Sequence, residues 1–442
     1  MKNMRNKMVL IGAGGLKFTK RIIFELIEDS KRAKWHIALV DINPDTLDAA
    51  VRLTKKMIAA KNVDIEVSYS TDRCEVLPGS DYVVAAITVG GRSADECDLE
   101  ISKKYGVVLA SHDEYMSPAG MFASIRMIPV FVDIAKDIMR LCPKAYFFNF
   151  SNPMTTTCLG VKKATGFPMI GLCHGVKGMQ KILSEEFAGI DDKKVSNYAV
   201  GVNHMTLMTE YLYEGKDAWH ILQSKLDEKR KNGEEITEPF GWEMFETYGG
   251  RVYPLPGDGH AISFFPEKFA KGDYYGKKIG VDIFKYGEGT KNREEAFKRD
   301  MELAYSTDPL PGYIFEGLAG YREEILEIIG SMEQDQRRVF SVNMTNGGAI
   351  PNLPKDAILE LPAAATAKGL LPLQINDFPD VFAGIITRLL IIADLVVEAA
   401  LKGDKKLFVE AVVMGGFVTE RSAAEKMVSE VLASQKKYLS QF

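Results

Sequence analysis

The segment Lys7-Met8-Val9-Leu10-Ile11-Gly12-Ala13-Gly14-Gly15 decides the fold, because a short apolar run ends in a glycine-rich turn. Apolar residues then recur at helical spacing over residues 18–27, and a second apolar run, Trp35–Val40, ends at Asp41. These patterns predict the order strand, turn, helix, strand. Glycines let a pyrophosphate approach the backbone at a helix N-terminus, and an acid after the second strand accepts ribose hydroxyls. The segment therefore predicts a dinucleotide-binding unit.

The expected cofactor contacts in this unit are Gly12, Gly14, Gly15 and Asp41. Lys17 stands where the GxGxxG fingerprint has its third glycine, so the turn alone is weak evidence. The acid at the end of the second strand strengthens the prediction. Its carboxylate would repel the 2′-phosphate of NADP, so we expect the cofactor to be NAD.

The alternation of strands and helices continues along the first part of the chain. Residues 81–87 and 145–149 have strand patterns, and a long helical pattern, residues 121–141, lies between them. Such alternation predicts a Rossmann-like, doubly wound parallel sheet with helices on both faces. The loops after these strands leave the same edge as the glycine turn. We therefore expect Thr88 and Asn149 to contact the cofactor, whereas Asn152, before a proline, is also typical of an ordinary turn.

Two pairs of residues further on suggest a metal site. Residues 168–172 form a short apolar run that ends in Cys173-His174, and Asn203-His204 follows after the next helical segment. Thiolate and imidazole groups are good ligands for divalent metals. Cys and His are also common in protein interiors, so each pair alone is weak evidence.

A loop with two prolines and two glycines carries another polar pair, Asp258 and His260, between aromatic residues. Loops can present such groups to a substrate. Gly-Asp-Gly is also favourable turn chemistry, so an ordinary surface turn is the alternative.

Composition limits the kind of protein. The chain has 442 residues, a net charge of -5 and no long basic run, which argues against nucleic acid or a membrane surface as the main partner. Five scattered Cys without a CxxC pair favour a reducing, cytoplasmic compartment. The apolar stretch 381–400 contains Arg388 and Asp394 and predicts a buried helix. We expect a Rossmann-like domain over residues 1–172 and an α+β domain over residues 173–442 that packs on its carboxyl edge.

Taken together, the motifs resemble family 4 of the glycoside hydrolases, an NAD- and metal-dependent group with a fold related to lactate and malate dehydrogenases. The resemblance spans most of the chain. Its motifs are the Gly12 turn, Val89-Gly90-Gly91, Lys104-Tyr105-Gly106-Val107, Arg126-Met127-Ile128-Pro129, Asn149-x-x-Asn152-Pro153, Cys173-His174-Gly175-Val176, Asn203-His204, and the loop 257–266. Ser117-Pro118-Ala119-Gly120 departs from the Gly-Pro-Gly-Gly of many members, in a loop that borders the substrate in relatives.

The resemblance implies a reaction in which NAD oxidises C3 of the sugar, the C2 proton leaves, the C1 oxygen departs, water adds and the hydride returns. It implies Mn²⁺ or another divalent metal on Cys173 and His204, with Asn152 and Asn203 on the sugar hydroxyls. Other members use a Tyr to remove the C2 proton. Here Asp258 occupies the corresponding loop and is assigned that role, His174 is assigned to protonate the leaving group, and His260 is an alternative for either.

The residues after Cys173 bear on the substrate. His174-Gly175-Val176 resembles the branch that acts on non-phosphorylated sugars, and within it the α-glucuronidases. We therefore expect an α-uronide, either a glucuronide or a galacturonide, with an α-glucosidase or α-galactosidase as the alternative. A uronide carboxylate needs a cation, for which Arg92 is predicted, although a surface ion pair would explain Arg92 equally well.

Other classes of function stay open at this point. A 2-hydroxyacid dehydrogenase of the lactate and malate type would use an Asp-His proton relay and no metal. An inactive NAD sensor is a third possibility, against which the intact Cys173, His204 and Asp258 argue. In all cases we expect a small-molecule partner and a homodimer or homotetramer.

Overall fold

The computed structural model describes residues 5–108, 111–279, 286–319 and 323–442. Its first part alternates strands and helices as predicted. In chain order the elements are β1 (Asn6–Ile11), α1 (Leu16–Asp29), β2 (Trp35–Val40), α2 (Pro44–Lys61), β3 (Ile65–Ser70), α3 (Arg73–Val76), β4 (Tyr82–Ala85), α4 (Gly91–Lys104), α5 (Pro118–Leu141), β5 (Tyr146–Asn149), α6 (Met154–Thr165) and β6 (Met169–Gly171).

These six strands are parallel and lie in the order β3-β2-β1-β4-β5-β6. The order reverses at β1, so the loops after β1 and β4 flank a crevice at the carboxyl edge, where open α/β sheets bind ligands. The prediction of a Rossmann-like parallel sheet is confirmed.

The second part mixes antiparallel strands with helices. Its elements are α7 (Gly175–Lys181), a π-helical segment (Ile182–Ala188), a 3-10 turn (Asp192–Lys194), β7 (Val195–Val202), β8 (Met205–Tyr213), β9 (Lys216–Asp217), α8 (Trp219–Lys231), α9 (Pro239–Thr247), β10 (Tyr253–Leu255), α10 (Asp258–Ala261), a 3-10 turn (Ile262–Phe264), α11 (Pro266–Phe269), β11 (Asp273–Tyr274), β12 (Lys277–Lys278), α12 (Tyr286–Tyr305), α13 (Tyr313–Ala319), α14 (Ile325–Glu333), β13 (Arg338–Thr345), β14 (Ile358–Thr366), β15 (Gly369–Pro372), α15 (Asp380–Lys402), α16 (Lys405–Met414), α17 (Arg421–Ser434) and a 3-10 turn (Lys436–Tyr438).

The sheet does not stop at β6. Strand β13 pairs antiparallel with β6, and β14, β7, β8 and β10 continue the same sheet outward. The expected boundary at residue 172 falls between β6 and α7, and the sheet crosses it. The division into domains 1–172 and 173–442 stays a prediction.

Helix α5 is long and apolar enough, by length and composition, to cross a membrane, but 83% of its apolar window is buried inside the protein. It packs against α6 and α15, which makes it a core helix of this fold. Evidence for a membrane span is therefore weak. The predicted buried helix at residues 381–400 is α15.

Candidate active site

A cavity of about 650 Å³ opens at the carboxyl edge of the parallel strands. The loops after β4, β5 and β6 line it together with α1, α5, the β7–β8 turn and the loop after β10. Its polar lining residues include Arg21, Thr88, Asp95, His112, Asp113, Arg126, Asn152, Cys173, His174, His204, His260 and Glu323.

The glycine turn before α1 has the geometry of a dinucleotide site. Gly12 has φ +95°, and a Cβ on it would lie 2.2 Å from the Ala86 carbonyl oxygen. A Cβ on Gly14 would lie 2.7 Å from Asp41 Oδ2, which accepts a hydrogen bond of 2.8 Å from the Gly14 backbone N–H. Gly15 precedes the first turn of α1. Bare backbone at a helix N-terminus with an acid at the end of β2 fits a dinucleotide.

The residues after β4 and β5 that were predicted to contact the cofactor or the sugar do not all face the cavity. Thr88 and Asn152 line the cavity, and Asn152 Oδ1 is buried with no hydrogen-bond partner in the part of the chain that the structure describes. The Asn149 side chain is fully buried and bonds the Ser151 backbone, accepting from its N–H at 2.8 Å and donating to its carbonyl at 3.1 Å. The Asn149 side chain therefore stabilises the loop after β5 through the Ser151 backbone and does not line the cavity.

The predicted metal ligand His204 occupies a two-residue turn with Asn203, between the paired residues Val202 and Met205. Its φ is +66°, a left-handed conformation that is uncommon for residues other than glycine and is found at functional sites. Its imidazole is buried, with Nδ1 3.1 Å from Glu114 Oε1, and it interacts electrostatically with Cys173.

Glu114 joins a second imidazole to this group. Its Oε1 also contacts His260 Nδ1, and the His204 and His260 ring centroids lie 4.3 Å apart. One ligand atom from each of these three residues lies within 4.8 Å of the other two. Together with the Cys173 thiol, they are a nitrogen, oxygen and sulfur donor set that fits a divalent transition metal.

The electrostatics of this group favour a cation. Burial alone would raise the pKa of Glu114, but the charges and hydrogen bonds of His260 and His204 outweigh burial and hold the pKa well below its usual range. Burial would lower the pKa of His204, but Cys173 and Glu114 raise it well above its usual value. An environment that stabilises positive charge on His204 also stabilises a divalent cation beside it.

Gly175 explains why the Cys173 loop lies so close to the loop after β10. A Cβ on Gly175 would lie 2.8 Å from the Pro256 side chain, so the two loops approach where only glycine fits. The Gly175 backbone N–H donates to Cys173 Sγ at 3.3 Å. This contact orients the sulfur, which belongs to the same cavity lining as His204 and interacts with it.

His174 belongs to a separate polar group in the same cavity. Its Nε2 contacts Glu323 Oε2, and Arg21 Nη1 donates to Glu323 Oε1 at 3.0 Å. Glu323 is buried, so one carboxylate from the segment before α14 holds both an imidazole and a guanidinium at the cavity wall.

A third polar group surrounds Arg126. This guanidinium is 1% exposed and pairs with Asp98 at 2.6 Å and Asp95 at 3.3 Å, while its Nε donates to the Val89 carbonyl at 3.2 Å. Burial raises the pKa of Asp98 to about 7, against the opposing effect of Arg126. Beside this group, His112 Nε2 is buried and has no hydrogen-bond partner among the described residues.

Three of the residues predicted to act on or bind the sugar are not among the residues that line the cavity. The Asp258 carboxylate accepts hydrogen bonds from Phe240 N and Gly241 N, both at 2.8 Å, and from Tyr274 Oη at 2.6 Å. It thus caps the N-terminus of α9. The Asn203 amide donates to Glu360 at 3.1 Å.

Arg92 is the third of these residues. Its side chain is 58% exposed and pairs with Glu96 at 2.6 Å and with Glu294. The structure supports the alternative that the sequence left open for this residue, an ion pair at the surface.

The sequence patterns gave no role to Glu114, His112, Arg126 or Glu323. Arg126 carries a usable signal, since a lone arginine within an apolar helix predicts a buried ion pair. Glu114 and His112 lie in the irregular segment before α5, where no periodicity marks a buried acid.

Comparisons with known proteins agree with this geometry. The family model "Family 4 glycosyl hydrolase" matches residues 7–188, and "Family 4 glycosyl hydrolase C-terminal domain" matches residues 199–417. An alpha-galactosidase of Bacillus subtilis (strain 168) is 27% identical over 434 residues, which are 97% of this chain and 96% of that protein. An alpha-galacturonidase of Thermoanaerobacterium saccharolyticum is 29% identical over 392 residues, 83% of this chain and 81% of that protein.

Among solved structures, a 6-phospho-alpha-glucosidase from gut microorganisms, crystallised with NAD and Mn²⁺, has a TM-score of 0.83 at 16% identity and covers 99% of each chain. At this identity the likeness shows the fold. The two family models together match most of the sequence, from the first strand to the end of α16. The chain belongs to family 4 of the glycosyl hydrolases.

Proposed function

We propose that this enzyme hydrolyses glycosides of a non-phosphorylated sugar, preferably an α-uronide, with NAD and Mn²⁺ as cofactors. The observation that carries the proposal is one cavity lined both by the loop after β4 and by Cys173, His204 and His260, the two imidazoles being held by the buried Glu114. The family match removes the alternative of a 2-hydroxyacid dehydrogenase.

Residues at the carboxyl edge of the sheet divide between the two cofactors. Gly12, Gly14, Gly15 and Asp41 would hold the dinucleotide, with Thr88 near its reactive end. Cys173 and His204 would bind the metal. Bound there, NAD supplies a reversible hydride acceptor, and the metal supplies a Lewis acid for the oxygen at the oxidised carbon.

The chain's own acid and base groups then act on the sugar. Because Asp258 caps α9, we assign removal of the C2 proton to His260, the alternative that the sequence offered. Glu114 holds His260 through Nδ1, which leaves Nε2 as the atom that can take a proton. His174, held by Glu323, would protonate the leaving C1 oxygen. Asn152, with its unpaired Oδ1, is the amide that supports binding of a sugar hydroxyl.

The preference for a uronide rests on two observations. His174-Gly175-Val176 resembles the α-glucuronidase pattern, and a relative named alpha-galacturonidase matches over most of the chain. A sugar carboxylate needs a hydrogen-bond donor, and His112 Nε2 is a buried, unpaired nitrogen at the cavity wall beside Arg126. We therefore assign carboxylate recognition to His112 in place of Arg92.

A neutral α-glucoside or α-galactoside is the second candidate, favoured by the match to an alpha-galactosidase. A 6-phosphosugar is less favoured, because both arginines in the cavity lining, Arg21 and Arg126, already pair with acids. A phosphate dianion calls for more cationic partners than a single carboxylate does.

We further propose a cytoplasmic enzyme that assembles as a homodimer or homotetramer, with no nucleic-acid or membrane partner. The scattered free cysteines and the net charge of -5 support this proposal.

The test of the proposed function is a panel of nitrophenyl glycosides, α and β, each with a neutral, carboxylate or phosphate group at C6. The panel is assayed with NAD⁺, Mn²⁺ and a thiol reductant. We expect the highest kcat/KM on an α-uronide and loss of turnover in Cys173→Ser, with NAD⁺ binding retained. A preference for 6-phosphoglycosides would overturn the substrate class, and no activity on any member would favour an NAD sensor.

A further inference from the structure

A buried carboxylate lies in the middle of the sheet, where its hydrogen-bond partners are neutral side chains. Glu360 on β14 is 1% exposed and forms no salt bridge within the described residues. Burying an acid without a cation costs several kcal/mol unless other contacts offset the loss of hydration. An apolar residue would be the ordinary choice on a central strand.

Strand register puts Glu360 in a row that runs under the metal ligands. Asn343 on β13 pairs with both Gly171 on β6 and Glu360 on β14, and Glu360 pairs in turn with Gly201 on β7. Gly201 pairs with Thr206 on β8. The row therefore begins two residues before Cys173 and ends two residues after His204.

The carboxylate of Glu360 holds the turn that presents His204. Its Oε2 accepts hydrogen bonds from Asn203 Nδ2 at 3.1 Å and from Thr206 Oγ1 at 3.2 Å, one residue on each side of the strained His204. On the other side of the turn, the Asn203 backbone N–H donates to Thr155 Oγ1 at 3.1 Å. These contacts fix the residue before His204 and the second residue after it, around a backbone whose φ of +66° is unfavourable on its own.

We infer that Glu360 is a positioning residue for the divalent metal, because it locks the Asn203-His204 turn so that the His204 imidazole faces Cys173 and Glu114. Outer-shell groups of this kind commonly set metal affinity. The inference rests on the proposed role of Cys173 and His204 as metal ligands. The part of the Glu360 side chain that matters is its acceptor oxygen, since Oε2 receives both hydrogen bonds.

The test is the dissociation constant of Mn²⁺, measured on the whole protein by the electron paramagnetic resonance signal of the free ion. Glu360→Met removes the acceptor at similar volume and should weaken Mn²⁺ binding by about 10–100-fold. Glu360→Gln keeps an acceptor oxygen and should stay within about 3-fold of wild type. Affinity for NAD⁺ should be unchanged in both variants, since the Gly12 turn lies on a different strand.

A second pair of variants keeps the test informative if Glu360→Met does not fold. Thr155 and Thr156 are adjacent, fully buried residues of α6, but only Thr155 contacts the turn, while Thr156 bonds Ser124. Thr155→Val should weaken Mn²⁺ binding and Thr156→Val should not.

The outcomes separate the inference from the proposed function. If Cys173→Ser binds Mn²⁺ as tightly as the wild type does, the proposed metal site is wrong, and the inference falls with it. If Mn²⁺ binding depends on Cys173 but folded Glu360→Met binds Mn²⁺ as tightly as the wild type, the inference alone is wrong. Where Glu360→Met does not fold, unchanged Mn²⁺ affinity in Thr155→Val has the same meaning. Equal losses in Glu360→Gln and Glu360→Met would overturn it as well.

Discussion

Oε1 of Glu114 lies 3.1 Å from Nδ1 of His204, and the same oxygen contacts Nδ1 of His260. A carboxylate that accepts from Nδ1 fixes the tautomer and the ring orientation of an imidazole and directs Nε2 elsewhere. Here one buried acid orients two imidazoles that serve different purposes in the proposed function, one for the metal and one for the sugar. Glu114 thus connects the two imidazoles from the segment before α5.

Glu114→Gln should weaken Mn²⁺ affinity by about 10–100-fold, because the amide keeps the volume but loses the charge that both imidazoles share. Metal titration of the purified variant measures the change, and Glu75→Gln on α3 is the matched control. Unchanged metal affinity with lost turnover would place Glu114 in the chemistry instead of in ligand orientation.

Asp41→Ala should raise the Kd of NAD⁺ by about 10-fold or more, the size of one charged hydrogen bond, and should raise that of NADP⁺ less. Both cofactors lose a hydrogen-bond acceptor for the ribose, but only NADP⁺ also escapes the repulsion between the carboxylate and its 2′-phosphate. Fluorescence titration with both cofactors gives the comparison. Asp45→Ala, an exposed acid in the first turn of α2, is the control. Equal losses for the two cofactors would remove Asp41 from the ribose site.

His112→Ala should lower kcat/KM more for α-uronides than for neutral α-glycosides, because a hydrogen bond to a charged group is lost. The difference between the two losses, as activation free energy, should be about 1.5–3 kcal/mol. Arg92→Ala should change both substrates equally and little, since its guanidinium is exposed and paired with Glu96 and Glu294. A selective loss of uronide turnover in Arg92→Ala, with His112→Ala unselective, would reverse this assignment.

Glu238 predicts how stability depends on pH. Burial, followed by the nearby Asp258 carboxylate, raises the pKa of Glu238 to about 7. Because the folded pKa exceeds the unfolded one, the folded state binds this proton more tightly, and the associated stability is lost as pH rises through about 7. The free energy of unfolding should therefore fall as pH rises from 4.5 to about 7 and level off above that. Glu238→Gln should flatten that fall in urea titrations, and Glu235→Gln, exposed on the same loop, should leave it in place.

The parallel half of the fold was predictable because each of its elements is encoded by a short, continuous stretch of sequence. Each strand, turn and helix from β1 to β6 has its own pattern of period and glycine placement, and right-handed βαβ connections leave few arrangements of such units. The continuation from β6 into β13 was not predictable, because it pairs Gly171 with Asn343, far apart in the chain, and neither strand's pattern encodes its neighbour.

The site divides in the same way. The closeness of Cys173 and His204 was predictable, because each ends or turns a strand at the same edge of the sheet; their role as metal ligands stays a prediction. The directions of the Asp258 and Arg92 side chains were not predictable, because a side chain in a loop or in the first turn of a helix can point toward the cavity or away from it. Asp258 turned to the open N–H groups of α9, and Arg92 turned along α4 to Glu96, one helical turn on. Glu114 lay in a segment without periodicity, so only the folded chain revealed its contacts.

The most direct test of the account is whether the enzyme uses NAD⁺ without consuming it. With NAD⁺ stripped and restored at a small fraction of the substrate concentration, we predict that sugar release runs for many turnovers while free NADH stays at the level of the blank. Simultaneous recording of nitrophenol and NADH absorbance gives both quantities from one sample. NADH that accumulates one for one with released sugar, or full activity in the stripped enzyme before NAD⁺ is restored, would contradict a redox-neutral, NAD-dependent glycosidase.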